Sequence, residues 1–138
     1  MENLLKQKLT KYLKKKGYDV IDYAVNYVPH DDYPDYGILL GEKLMADEFT
    51  YGIAICANGV GISIACNKVK GVRCAKVNNA WEARTAKHDD NINIISIPSN
   101  LMMFEVKDIV DAFIKTPFSP VERYSRRIQK LKDYEERA

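Results

Sequence analysis

Residues 51–56, YGIAIC, form a continuous apolar run closed by a cysteine and followed at once by a glycine-bearing turn, ANGVG. A run this short, with no polar break, is the pattern of a strand buried on both faces. Such a strand needs packed structure above and below it, so the remaining segments must supply two outer layers around one sheet.

The flanking segments have the right periodicities. Residues 4–16, LLKQKLTKYLKKK, bring Leu4, Leu5, Leu9, Tyr12 and Leu13 toward one face at helical spacing, and Gly17 is a natural stop. YDVIDYAV, 18–25, alternates and is β-branched at its centre, which predicts a strand. NYVPHDDYPD, 26–35, reads as a polar loop, and 36–47 return to helical period. Further along, a short helix is expected from about Gly61 to Val69, a strand over 72–77, a helix over 79–87 and a strand over 93–97. An amphipathic helix is expected over 103–115, with Phe104, Val106, Ile109, Val110, Phe113 and Ile114 apolar. After the break at TPFSP comes a charged helix over about 121–136. Strands alternating with helices through short loops require right-handed crossovers. The expectation is an α/β three-layer sandwich: a parallel sheet of about four strands with helices on both faces. A length of 138 residues with 46% apolar content fits a single domain, 1–138, with one buried core.

Charge and cysteine content narrow the function classes. With 21 basic and 19 acidic residues the formal net charge is +2, which gives no general pull toward nucleic acid or an anionic membrane. No apolar run approaches the ~20 residues of a membrane span, and the lysine-rich start lacks the pattern of a secretory signal. Cys56, Cys66 and Cys74, with no CxxC pair, fit a reduced, cytoplasmic protein better than a disulfide scaffold.

In open α/β sheets ligands bind beyond the C-terminal ends of the strands. Cys56 ends a central apolar strand, and Gly59 and Gly61 allow a tight turn with close backbone approach. Amides at the start of the next helix can face an anion, and the same field favours a thiolate. Two readings of Cys56 stand side by side: a base or nucleophile beside an anion-stabilising nest, or a small buried residue at a strand end. Asn58 is either a polar group in that site or a turn former. His88, in KHDDN, is either catalytic or solvated. His30 is remote from it in sequence, so no metal-ligand spacing arises and no metal is expected. Arg123 and Arg127 lie four apart on one helix face, as a phosphate clamp or as a solvated basic face.

Taken together, KKKGYDVID, DDYPDYG, GIAICANGVGISIACNKVKGVRCAKV, ARTAKHDDN, IVDAFIKTPF and RYSRRI resemble the ribose-5-phosphate isomerase B and galactose-6-phosphate isomerase family, from about Leu4 to Leu131. The resemblance implies a Rossmann-like fold and a metal-independent aldose–ketose isomerase that works on a sugar phosphate through an enediolate, with no cofactor. Ribose 5-phosphate to ribulose 5-phosphate is the reaction it implies first. On this resemblance Cys56 is the base between C1 and C2, and Asn58 lies near the reacting oxygens. The amides around Gly59, Val60 and Gly61 stabilise the enediolate. His88 opens the sugar ring, Tyr33 lines the site, and Arg123 and Arg127 bind phosphate. It also implies a homodimer or a dimer of dimers, with sites shared between subunits and helix 121–136 contacting the partner.

Family members begin with a strand and a Gly-x-Asp-His-x-Gly turn before the first helix, whereas Met1 here falls almost at that helix. Tyr124 stands where the family commonly has histidine. The resulting expectation is that segments 19–25 and 51–56 pair directly and that turnover is weak. The alternative reading is a relative that keeps the fold but only binds phosphate or dimerises. An unrelated nucleotide-binding domain finds no support, because neither a Walker lysine nor GxGxxG is present.

Overall fold

The structure, a computed structural model, describes residues 2–24 and 31–138. Three parallel strands form one sheet in the order β1-β3-β2: β1 (Gly52–Cys56), β2 (Cys74–Lys76) and β3 (Ile94–Pro98). Central β3 is buried at every position, as its apolar sequence requires. Its pairing with β1 runs from Gly52 opposite Ile94 to Cys56 opposite Pro98.

Six helices cover the sheet: α1 (Glu2–Lys15), α2 (Tyr33–Met45), α3 (Val60–Asn67), α4 (Ala80–Asp90), α5 (Met103–Lys115) and α6 (Glu122–Arg137). One face carries Leu5, Leu9 and Leu13 of α1 and Val106, Ile109, Val110 and Phe113 of α5, packed on Ile95 and Ile97. The other carries Leu44 of α2 and Ile62 and Cys66 of α3, packed on Ala54 and Ile94. These two cores on opposite faces make the three-layer sandwich. Helices α2 and α3 approach so closely that a Cβ added at Gly37 would lie 2.7 Å from Cβ of Ala65.

Among the described residues the sheet has three strands rather than about four. Among the described residues, segment 18–24 carries no ladder, ends in a turn at 23–24, and does not pair with β1. Residue 25 of that expected strand, and residues 26–30 of the following loop with His30, lie outside the described residues. The alternation in YDVIDYAV is real, with Val20 packed against the α1–α5 core and Ile21 exposed. Alternation selects a face, but a strand also needs a neighbour to accept its hydrogen bonds, and here the expected neighbour stands across a cavity.

DDYP opens a helix instead of closing a loop: α2 begins at Tyr33 with proline in its first turn, where a missing N–H costs nothing. Helix α6 folds back on its own chain, burying Ile128 and accepting a hydrogen bond from the Gly71 N–H at Glu135 Oε2 (2.7 Å). Among the described residues, no helix is long and apolar enough to cross a membrane.

Candidate active site

Cys56 is the last residue of β1 and its side chain is half-buried on the α2–α3 face. The chain then turns through Ala57 and Asn58 into α3. Gly59 caps that helix at φ 80°, a backbone state open to glycine and strained for other residues. A Cβ there would lie 2.9 Å from Ser96 Oγ and 3.1 Å from Lys76 Cγ. Ser96, fully buried in β3, donates to the Gly59 carbonyl at 2.5 Å and fixes the turn to the sheet. Asn58 Oδ1 accepts from the Val60 N–H at 2.9 Å. That bond makes Asn58 a turn former and takes the Val60 amide out of the expected nest. Tyr33 lies over the same turn, since a Cβ on Gly61 would sit 2.8 Å from Tyr33 Cζ and 2.9 Å from Cε1. The Tyr33 ring is 44% exposed and lines, with Cys56, a cavity of about 1190 Å³. The fold therefore brings Cys56, Asn58, Gly59, Val60, Gly61 and Tyr33 to the C-terminal end of β1.

The other expected site residues gather elsewhere. His88 lies near the C-terminus of α4, just before the residues that lead into the start of β3. The Ser119 N–H, in the linker before α6, donates to the His88 carbonyl (3.0 Å). The His88 ring meets Tyr124 edge-on at 5.7 Å between centroids, and its Nδ1 lies 2.6 Å from Asp89 Oδ1. The Arg123 guanidinium sits 4.7 Å from the Tyr124 ring centroid and donates to its hydroxyl (3.2 Å). Arg127 is exposed one turn on, and Arg126 pairs with Glu122 (2.8 Å). This cluster is at the N-terminal end of the sheet, while Cys56 is at the C-terminal end. The five-residue strand between them spans roughly 16 Å. The expected site residues thus fall into two clusters at opposite ends of the sheet.

Cys66 and Cys74 differ from Cys56. Cys66 is fully buried, and a hydrogen bond shared with it, together with burial, pushes the Cys74 thiol far up. Neither lines the cavity that Cys56 faces. Arg73 also serves structure: burial lowers its pKa, and its Nε donates to the carbonyls of Asp90 and Asn91 at the end of α4. Two residues of the Cys56 turn were not singled out from sequence, Ser96 and Lys76. Ser96 did leave a trace, as the polar residue inside NIISI.

The family model described as Ribose/Galactose Isomerase matches residues 2–131. The chain belongs to that family. Ribose-5-phosphate isomerase B of Mycobacterium tuberculosis (strain CDC 1551 / Oshkosh) is 38% identical over 133 residues, covering 95% of this chain and 82% of the relative. Among solved structures, ribose-5-phosphate isomerase B of Clostridium thermocellum superposes with a TM-score of 0.92 at 35% identity, covering 98% of this chain and 91% of that one. The Mycoplasma genitalium enzyme with bound ribulose-5-phosphate gives 0.91 at 38% identity, covering 98% and 90%. The Ribose/Galactose Isomerase match spans β1, the Cys56 turn, the His88 cluster and most of α6, so both clusters fall inside it.

Proposed function

We propose that this chain is an aldose–ketose isomerase of the ribose-5-phosphate isomerase B type, interconverting ribose 5-phosphate and ribulose 5-phosphate in the cytoplasm. The observation that carries the residue assignment is Cys56 at the end of β1, facing a cavity beside the turn that Gly59 and Ser96 hold. As thiolate, Cys56 removes the proton from C2 of the open-chain aldose. The C2–H electron pair becomes the C1–C2 double bond, and the carbonyl π pair moves onto O1. Backbone N–H groups at the start of α3 stabilise that oxyanion, with Gly59 and Gly61 giving close access. The Val60 amide is already engaged by Asn58, so Asn58 acts by fixing the turn. The protonated thiol then returns its proton to C1, while a proton passes from O2 to O1, giving the ketose. Tyr33 covers the turn from the other side. No step in this sequence calls for a metal or an organic cofactor.

His88 protonates the ring oxygen to open the furanose, and Arg123 and Arg127 hold the phosphate. Their distance from Cys56 within a protomer leads to a homodimer as the working unit, each site pairing one subunit's Cys56 turn with the other's His88 and arginines. The Arg123–Tyr124 stack pre-positions one guanidinium.

The test is a direct isomerisation assay on ribose 5-phosphate and on allose 6-phosphate. Turnover of ribose 5-phosphate is expected, lowered ~10²–10⁴-fold by Cys56→Ala and retained in a folded Cys66→Ala variant. Parental turnover in Cys56→Ala would overturn the assignment of the base. Mixing Cys56→Ala with Arg127→Ala subunits should restore activity in hybrid dimers. No rescue, with a monomer in light scattering, would overturn the shared site.

A further inference from the structure

Two of the three cysteines take no part in the proton transfer, and they stand side by side. Cys66 lies in the last turn of α3 and is fully buried, while Cys74 opens β2 and is half-buried. Both belong to the core between the sheet and the α2–α3 layer, and their thiols share a hydrogen bond. No CxxC spacing announces the pair; the turn from α3 into β2 creates it.

The backbone around the two thiols is fastened at several points. The side chain of Asn67, next to Cys66, clasps both polar groups of the Cys74 backbone. Its Nδ2 donates to the Cys74 carbonyl (2.9 Å) and its Oδ1 accepts from the Cys74 N–H (2.8 Å). Between the cysteines the chain is held in turns, with the Val69 N–H donating to the Cys66 carbonyl (3.2 Å) and the Val72 N–H to the Val69 carbonyl (3.1 Å). The Gly71 N–H is held in turn by Glu135 of α6 (2.7 Å). Neither thiol can drift from the other without breaking these bonds. Buried cysteines commonly serve only as small apolar packing groups. Here one thiol belongs to a residue that keeps some exposure, and the other is fixed against it. That arrangement gives an oxidant a point of entry and places a second sulfur ready to close the link.

We propose that Cys66 and Cys74 form a modification site, a dithiol pair that a small hydroperoxide closes into a reversible disulfide tying the end of α3 to the start of β2. The Cys74 sulfur attacks one peroxide oxygen. The S–O bond forms, the O–O bond breaks, and the departing hydroxide leaves as water with the proton of the thiol. The Cys66 sulfur then attacks the sulfur of the Cys74 sulfenic acid. The S–S bond forms, the S–O bond breaks, and that hydroxide leaves as water with the Cys66 proton. The two sulfurs together lose two electrons, and the peroxide is reduced to two waters. The hydrogen bond within the pair holds the Cys66 thiol below its ordinary range and, with burial, pushes the Cys74 thiol up. The first step is therefore slow and the second fast, so the sulfenic acid does not accumulate. The inference stands apart from the isomerase reading, since its readouts do not involve turnover.

The full chain carrying Cys56→Ala keeps Cys66 and Cys74 as its only thiols. It is treated with hydrogen peroxide in the presence of dimedone, which traps sulfenic acids, then digested with trypsin and read by mass spectrometry without reduction. Trypsin cuts after Lys68, Lys70 and Arg73, so a link between the two cysteines joins separate peptides. The expected product is that linked pair within one chain, two hydrogens lighter than the separate peptides and undone by dithiothreitol. Unfolding in urea before oxidation should lower the ratio of linked to dimedone-bearing product about ten-fold or more, because the placement of the second sulfur is lost. With Cys66→Ala added, the dimedone adduct should appear at Cys74 in the folded chain. Cys66 and Cys74 left as thiols in the folded chain, adducts in place of the link, or a link between two chains would overturn the proposal. An unchanged ratio in urea, or no adduct at Cys74 in the Cys66→Ala chain, would overturn it as well.

Discussion

Gly59→Ala separates the conformational from the steric demand of the turn that holds Cys56. Gly59 has φ 80°, and an added Cβ would lie 2.9 Å from Ser96 Oγ, which is buried and bonded to the Gly59 carbonyl. Placing a non-glycine residue in the left-handed region costs about 1–2 kcal/mol. Crowding a packed site costs about 1–3 kcal/mol more. The sum, roughly 2–5 kcal/mol, is a large part of a domain's ~5–15 kcal/mol. Gly17→Ala supplies the internal reference, because Gly17 has φ 93° with no atom within 4 Å of a new Cβ. It should show the conformational cost alone. Urea unfolding of both variants, with the slope checked for constancy, should place Gly59→Ala at least ~1 kcal/mol below Gly17→Ala. Adding Ser96→Ala should relieve the clash, so that the double variant loses less than the two single losses combined. Equal effects of Gly17→Ala and Gly59→Ala, or strict additivity with Ser96→Ala, would refute this reading of the turn.

Other expectations follow from single contacts. A thiol reagent at neutral pH should label Cys56 faster than Cys74, and Cys66 only at the rate of unfolding; rapid labelling of all three would contradict the burial of Cys66 and the hydrogen bond that raises the Cys74 thiol. Gly61→Ala should keep or raise stability by up to about 1 kcal/mol through helix propensity, yet raise KM for the sugar phosphate by displacing Tyr33; an unchanged KM would remove Tyr33 from the site. Burial opposes ionisation of Asp111, but hydrogen bonds from Tyr12 (2.7 Å) and Lys16 (3.0 Å) outweigh it, so its carboxyl lies below the usual range. A lowered carboxylate pKa stabilises above the unfolded value of about 4 and is lost as pH falls through the folded value. The parent should therefore lose stability faster than Asp111→Asn on acidification below about pH 4; parallel curves would contradict the α1–α5 tie.

What was legible in the sequence divides along physical lines. Helix α5 matches its expected bounds because Val106, Ile109, Val110 and Phe113 recur at helical spacing and all four are buried. Strands β1 and β3 are legible because both faces are apolar. Segment 18–24 is misread because a strand is a relation between two chains, and alternation reports only one of them. The start of α2 is missed because Asp-Asp-Tyr-Pro suits a turn and a helix N-terminus equally well. At the site, Cys56 and the glycines follow from the strand-end rule. The separation of His88, Arg123 and Arg127 from Cys56 follows only from knowing which way α4 runs against β3. Ser96 escapes notice because its role, a hydrogen bond to Gly59 across 37 positions, has no local signature.

The central claim is that Cys56 carries a proton between C1 and C2. Incubating the parent with ribose 5-phosphate in D₂O and following deuterium at C2 of the recovered aldose and at C1 of the ketose by NMR measures that transfer directly. The account predicts incorporation at both carbons with the parent and incorporation slowed ~10²–10⁴-fold with Cys56→Ala. Exchange in Cys56→Ala at the parental rate would contradict it.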